Sequence, residues 1–261
     1  MGACPAAYVT QKPMLNIFAS LYMSFRVFGL RRGWRLPIYV YGRLRLCHIG
    51  KIRLCCPLRR RLLVLGSNYG FVVAPFTLFD NQGVIELHGP LYLNYGTMLS
   101  NRGTIVAGGN NIIGNRTEIR VTQRLELGFN TILGFDCHVM DTDMHYVVDV
   151  TSKCVARNSA PIRLGRYNWI GSNCYVKKGT VTPDYLTVAS PNTLLLKDYS
   201  QLPPYSVLAG TPARAVRTGV QRICNYTIEQ RLRTFFAEHP HADSFQLDDG
   251  EDLQDAFTLN L

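Results

Sequence analysis

Between Met1 and Phe79 the chain has no aspartate or glutamate, and after Arg233 it has no lysine or arginine. The first stretch instead carries basic residues from Lys12 to Arg61, with Arg26, Arg31, Arg32 and Arg35 close together. The tail holds Glu238, Asp243, Asp248, Asp249, Glu251, Asp252 and Asp255. Oppositely charged ends attract each other within a chain or between subunits, and the basic end also suits anionic lipid or a negatively charged substrate. No nucleic-acid-binding module or basic-aromatic pattern accompanies the charge, so no nucleic-acid partner is expected.

Other absences narrow the field further. The eight cysteines (Cys4, Cys47, Cys55, Cys56, Cys137, Cys154, Cys174 and Cys224) include no C-x-x-C, which removes the common zinc and redox spacings. Several of them fall where the repeat described below points inward, and buried free cysteine behaves as a small hydrophobe. The compartment implied is reducing and cytoplasmic. A bilayer-spanning run is missing too. The candidate, Met14 to Leu30, is shorter than the roughly 20 apolar residues needed and contains Asn16 and Arg26. Arg31 and Arg32 follow it directly, a poor cleavage region for a signal peptide. Leu15, Phe18, Tyr22 and Phe25 share one helical face. The expectation is a helix packed on its own domain, with peripheral attachment to the inner face of the membrane as the alternative.

What the sequence does contain is a six-residue period. Leu87, Leu93, Leu99 and Ile105 begin it; an extra residue near Asn110–Asn111 shifts the phase, and Ile113, Ile119 and Leu125 continue it. A second shift leads to Leu127, Leu133 and Val139, and after a break Leu164, Ile170, Val176, Thr182, Val188 and Leu194 resume. Period six matches neither a helix nor an ordinary alternating strand. It suits a triangular coil with one short strand per side and one aliphatic residue pointing inward. Gly128, Gly134, Gly165 and Gly171, with Asn115, Asn130 and Asn173, fall near corners where unusual dihedrals are expected. Stacked turns about 4.8 Å apart satisfy one another's backbone.

Upstream, residues 36–73 alternate basic and apolar residues like opening coils with Arg and Lys outward. Downstream, Thr227 with Gln230 reads as a capping box, and Ile228, Leu232, Phe235 and Phe236 form one helical face before Pro240, suited to packing on the last coils. The tail from Asp243 reads as partly disordered, with Phe245, Leu247 and Phe257 able to dock. The chain thus divides into a basic N-terminal helical segment (1–35), a solenoid (36–221) with a loop at 140–163, and a C-terminal helix with an acidic tail (222–261).

Three segments, LGFNTILGFDCHVMDTDMH, IGSNCYVKKGTV and YSVLAGTPARAVR, together resemble the left-handed β-helix hexapeptide-repeat acyltransferases. The nearer likeness is to bacterial sugar O-acetyltransferases, alongside the galactoside and xenobiotic acetyltransferases. The resemblance covers residues 87–217 well and implies a mainly β, left-handed parallel β-helix, a homotrimer and acetyl-CoA as cosubstrate.

The break between Val139 and Leu164 is the natural site, because a long excursion from a rigid solenoid usually carries function. It opens with Asp141, Asp143 and His145. Acetyl transfer to a hydroxyl needs a base, a task that suits a neutral imidazole. The resemblance places that base on His145; one of Asp141 or Asp143 then orients the ring and the other holds acceptor hydroxyls. It also places coenzyme A against Trp169, Gly171 and Ser172 near the thioester, against Ser190 and Pro191 beside pantetheine, and near Lys197, Arg214 and Arg217 for the phosphates. Pro191 and Leu196 depart from the family's pattern at those points. His138 and His145 are seven apart with no earlier matching histidine, so the zinc of the related γ-class carbonic anhydrases is not expected. The leading function is acetyl transfer to a sugar hydroxyl of a cell-surface polysaccharide or its precursor. The alternatives are N-acylation of an amino sugar or sugar nucleotide, and a silent trimeric scaffold.

Overall fold

The computed structural model describes residues 14–67, 75–248 and 250–260. Cys4, Lys12, Val73 and Asp249, named above, lie outside them. Among the described residues the strands form three sheets of nine, seven and five members. Consecutive strands never share a sheet until the last pair. Ile38–Val40, Leu44–His48 and Lys51–Leu54 enter the first, second and third sheets in turn, and the next three strands repeat the order. The result is a three-sided parallel coil. Its one antiparallel pair closes it, Arg214–Arg217 folding back on Val207–Ala209.

The six-residue period is real, but its phase shifts have a different cause from an insertion near Asn110–Asn111. Strands Val84–Leu87, Thr104–Ala107 and Arg124–Leu127 each turn two residues inward: Ile85 with Leu87, Ile105 with Ala107, Leu125 with Leu127. Inward spacing is therefore six, six, six and two, and Ile105 pairs with Leu125 one 20-residue turn later. After the excursion the turns shorten, with Ile170 on Val188, 18 residues on, and Val176 on Leu195, 19 on. The inward residue at the last step is Leu195, fully buried, not the half-exposed Leu194, because the corner at Ser190–Asn192 holds one residue more.

Corner chemistry also differs from expectation. The left-handed residues are Asn130, Asp136, Tyr167 and Asn173, with Arg116 in place of Asn115. Gly128, Gly134, Gly165 and Gly171 are needed for space instead. A Cβ on Gly134 would sit 2.6 Å from the Ser172 backbone nitrogen, and one on Gly128 would sit 2.5 Å from that of Arg166. Turns one strand spacing apart leave no room there.

Helix α1 (Ile17–Gly33) begins at Asn16, whose side chain accepts from the Ala19 amide at 3.0 Å. It packs on Ile38–Val40 through Ser20, Met23 and Ser24. The Ser20 hydroxyl accepts from the Val40 amide at 2.9 Å, and that of Ser24 accepts from Ile38 at 3.3 Å. The face with Phe18 and Tyr22, expected to pack inward if the helix covers its own domain, is outside. The edge strand offers unpaired backbone groups, and hydroxyls satisfy those better than rings do. No helix among the described residues is long and apolar enough to cross a membrane.

At the other end, α2 (Tyr226–Glu238) is capped by Asn225, which accepts from the amides of Thr227 and Ile228, rather than by Thr227. No residue of α2 is fully buried, so it stands off the coils more than expected. The described part of the tail, 243–248 and 250–260, docks on the coil rather than standing free. Helix α3 (Leu253–Phe257) buries Ala256, and Asn130 holds the tail by bonding the Phe257 carbonyl and the Leu259 amide, each at 2.8 Å. Phe245 meets Phe235 edge to face. Among the described residues no ion pair joins the basic beginning to the acidic tail; Arg53 pairs with Glu86, His48 with Asp80, and Glu251 with Arg231.

Candidate active site

The excursion leaves the second sheet after His138–Met140 and rejoins the third at Ile162–Leu164. Its neck is closed by an antiparallel bridge between Thr142 and Ser159, and by the Ala160 amide on the Asp141 carbonyl at 3.0 Å. A second bridge, Val148 with Val155, makes the outer part a hairpin, and Asp149 at its tip accepts from the amides of Thr151 and Ser152. Those bonds stabilise the Asp149 carboxylate and lower its pKa.

The two aspartates of the opening segment are separated by their surroundings. Asp141 is fully buried and its carboxylate accepts from the amides of Thr122, Gln123 and Arg124 and from the Thr122 hydroxyl, at 2.6–2.9 Å. It pins the preceding turn's corner and has no contact with His145. Asp143 sits at the surface, 2.6 Å from Lys178 and 3.8 Å from Lys177. Lys178 also donates to the Arg157 carbonyl at 2.9 Å, tying both strands of the neck. His145 follows Met144, which holds a left-handed φ of 65°. Its ring is exposed and makes no hydrogen bond or ion pair among the described residues. Around it Met144, Tyr146, Val147, Val148 and Val150 are all exposed, Val150 at 84%.

The residues expected to hold coenzyme A split between two edges. Ser172, Ser190 and Pro191 share the corner between the first and second sheets, with Gly171 leading into it and Trp169 beside it on the first. There the Ser190 hydroxyl donates to the Ser172 carbonyl at 2.7 Å, and the Ser172 hydroxyl accepts from the Phe135 amide at 3.3 Å. Arg214 lies one corner further along, paired with Ala209, while Arg217 is at the far end of that strand; both are exposed. Lys197 is elsewhere. It follows Leu194–Leu195 at the corner between the second and third sheets, the His145 edge, with its ammonium 5.5 Å from the Tyr199 ring. The second sheet lies between His145 and Ser172, and its five residues from Asn173 to Lys177 span about 15 Å.

Some features of the site were not read from the sequence. The outer face of the second sheet carries Glu118, His138 and Tyr175 in register: His138 Nδ1 lies 3.3 Å from Glu118 Oε2, and its ring stacks on Tyr175 at 4.9 Å. A 20-residue turn would have paired 118 with 138, but the excursion hides Tyr175. Arg222 lies over the Trp169 ring at 5.0 Å, a contact with no local sequence signal. Trp169 and Ser172 open onto a cleft of about 1550 Å³ between the first sheet and α2, which Tyr92, Phe135, Leu232 and Phe236 also line. Below the corner, Cys137 is fully buried and donates its thiol to the Gly171 carbonyl at 3.1 Å. Burial pushes that thiol from 9.0 up to about 12. No group of three metal-binding side chains occurs among the described residues.

No protein-family model matches the chain. A protein of Mycobacterium tuberculosis described as a probable acetyltransferase is 24% identical over 123 residues, 46% of this chain. The match spans 39% of that relative's length. Among solved structures the chain is similar to the polySia-specific acetyltransferase NeuO, at 17% identity over 78% of this chain and 94% of that one, TM-score 0.38. It is similar to the polysialic acid O-acetyltransferase OatWY, at 21% identity over 75% and 84%, TM-score 0.36. It is also similar to AntD, an N-acyltransferase from Bacillus cereus solved with dTDP and coenzyme A, at 11% identity over 77% and 89%, TM-score 0.42.

Proposed function

We propose that this chain is an acyl-coenzyme A-dependent acyltransferase that moves an acetyl group to a hydroxyl of a sugar in a cell-surface polysaccharide or its precursor, in the cytoplasm. The observation that carries the reading is His145, exposed and free of partners among the described residues, on an anchored excursion from an otherwise regular coil. The partial likeness to an acetyltransferase and the three sequence segments support it. We take the coil to be left-handed, as the sequence resemblance implies.

In this reading His145 accepts the acceptor's hydroxyl proton while the oxygen attacks the thioester carbonyl. The new C–O bond forms, the C–S bond breaks, and the imidazolium returns the proton to the departing thiolate sulfur. Asp143 steadies the imidazolium with the oxygen that faces only the longer contact to Lys177. Asp141 contributes by holding the corner from which the excursion starts. Trp169 walls the thioester, with Gly171 at its side, while Ser172, Ser190 and Pro191 line the pantetheine path. Arg214 and Arg217 meet phosphates, and Lys197 serves the His145 edge.

The active centre is composite. His145 and the Trp169–Ser172 corner lie on opposite margins of the second sheet, too far apart for one acetyl group. A closed ring of three chains brings the excursion of one to the corner of the next, and its exposed apolar residues then gain a surface to cover. Mixing equal amounts of His145→Ala and Trp169→Ala chains, at acetyl-coenzyme A too dilute for the Trp169→Ala corner to bind well, tests this: after subunit exchange about a quarter of sites pair an intact histidine with an intact corner, and activity rises above that of either variant alone. The reaction itself is tested by coenzyme A release against a panel of sugars. Transfer to neutral sugars is expected; transfer confined to amino sugars would replace O-acetylation by N-acylation. No transfer and no coenzyme A binding would leave a scaffold.

A further inference from the structure

Helix α1 is turned the unexpected way round. It buries Ser20 and Ser24 and leaves Phe18 86%, Tyr22 57% and Met14 84% exposed on the opposite side. Gly29, at φ 70°, breaks the helical path, and beyond the break Leu30 and Trp34 are 71% and 66% exposed. Trp34 folds back onto the half-buried Phe25 edge to face at 5.1 Å, which sets the residues beyond the break against the helix that carries Phe18 and Tyr22. Exposed apolar surface this concentrated marks a contact site.

The charges beside the stripe identify its partner. Arg26, Arg31, Arg32 and Arg35 are exposed, and none of them forms an ion pair among the described residues. No acidic residue precedes Asp80 in the chain. A second copy docked stripe to stripe would set these arginines against its own, at a Coulombic cost, and the acidic tail is already held on its own coil at Asn130. A bilayer with anionic headgroups meets both requirements at once, since rings and aliphatic groups enter the interface while arginines stay at headgroup level. Trp and Tyr favour that depth.

We propose that the outer face of α1 is a membrane-docking surface that binds anionic bilayers peripherally, through the Phe18–Tyr22–Phe25–Trp34 stripe and its arginines. The inference does not depend on the proposed chemistry. It places the coil with one end against the bilayer and its length projecting into solution.

The test is co-sedimentation of the full chain with phosphatidylcholine vesicles, with and without phosphatidylglycerol. Binding is expected only with the anionic lipid and declines as salt rises. Replacing Arg31 and Arg32 together by alanine weakens binding by about tenfold or more, since each basic residue near an anionic leaflet contributes roughly fivefold. Phe18→Ser with Trp34→Ser weakens it as well, without changing the thermal midpoint, because both side chains are exposed. In a Trp169→Phe background, Trp34 emission shifts to the blue on adding anionic vesicles. Absence of binding, equal binding to both vesicle types, or unchanged affinity in both variants would overturn the proposal. So would a stripe variant whose only effect is a smaller assembly in solution, which would make the occupant a second copy.

Discussion

The turns before the excursion and the turns after it are built from the same period but to different standards. Before it, every side of a turn is a strand of two to five residues, the third side turns two aliphatics inward, and from Thr77 onward successive turns repeat at 20 residues. After it, strands shrink to two or three residues on most sides, the third side beyond Ile162–Leu164 survives only as bridges at Val181 and Asp198, and the repeat becomes uneven, 18 from Ile170 to Val188, 19 from Val176 to Leu195 and 20 from Val188 to Leu208. The sturdier turns carry Asn81 and Asn101 hydrogen-bonded to each other inside the corner at 2.7 Å, followed in the same register by Val121 and then Asp141. The lighter turns carry Trp169, Ser172, Ser190 and Arg214. One half holds position by repetition, and the other, which carries the proposed cofactor corner, departs from it.

His145→Ala should separate the halves most sharply. Turnover is expected to fall by at least about a hundredfold, within the range for loss of a general base. The thermal midpoint should stay put, because the ring is exposed and makes no hydrogen bond or ion pair among the described residues. Unchanged turnover would remove the base from His145. Asp141→Ala should do the reverse and damage the fold. Three backbone amides lose their acceptor, at about 1–3 kcal/mol each where buried, so a loss of several kcal/mol is expected in urea unfolding. If Asp143→Asn destabilises as much, the distinction drawn between the two carboxylates is wrong.

Trp169→Ala is expected to weaken coenzyme A binding by about tenfold, as loss of an apolar wall does, and Arg222→Ala by less, because the arginine acts through the ring it covers. Calorimetry reads both, and a larger loss for Arg222 would make it a direct ligand. A different readout is pH dependence. The folded Cys137 thiol titrates near 12 against 9.0 when unperturbed, so the stability it lends is complete below 9 and is lost as pH climbs towards 12. A Cys137→Ala chain should lose less stability than wild type across that window, measured as the shift in urea midpoint.

Much of this architecture was legible because a parallel coil has one dominant rule, an aliphatic residue at every sixth position. Leu133, Val139, Leu164, Ile170 and Val176 follow it and are buried. The two-residue third side was misread as an insertion, since Ile105 and Ala107 look alike in a string whether a strand has lengthened or a corner has gained a residue. Glycine was given the wrong duty at Gly134, because contact with the next turn is not written in local sequence. Site chemistry was legible as residue types but not as groupings. Asp141 and Asp143 are two positions apart, and only the corner of the preceding turn decides that one is structural. Lys197 falls on a different edge from Ser190, because a six-residue step around a triangle changes face. The orientation of α1 was missed for a simpler reason. Pattern reading assumes that aromatic faces turn inward, and this helix meets an edge strand that wants hydroxyls.

The closed neck at Thr142 and Ser159 has an engineering consequence. Chain enters and leaves the excursion through paired backbone, and the turns on either side stay in register, Leu125 on Ile162 and Val139 on Val176. Length and composition beyond the neck are therefore decoupled from the coil. Residues 144–156, beyond the contacts of Asp143 and Arg157 with Lys178, form an exchangeable segment, so grafting that stretch from an acyltransferase tests whether it sets the acceptor in the proposed reaction.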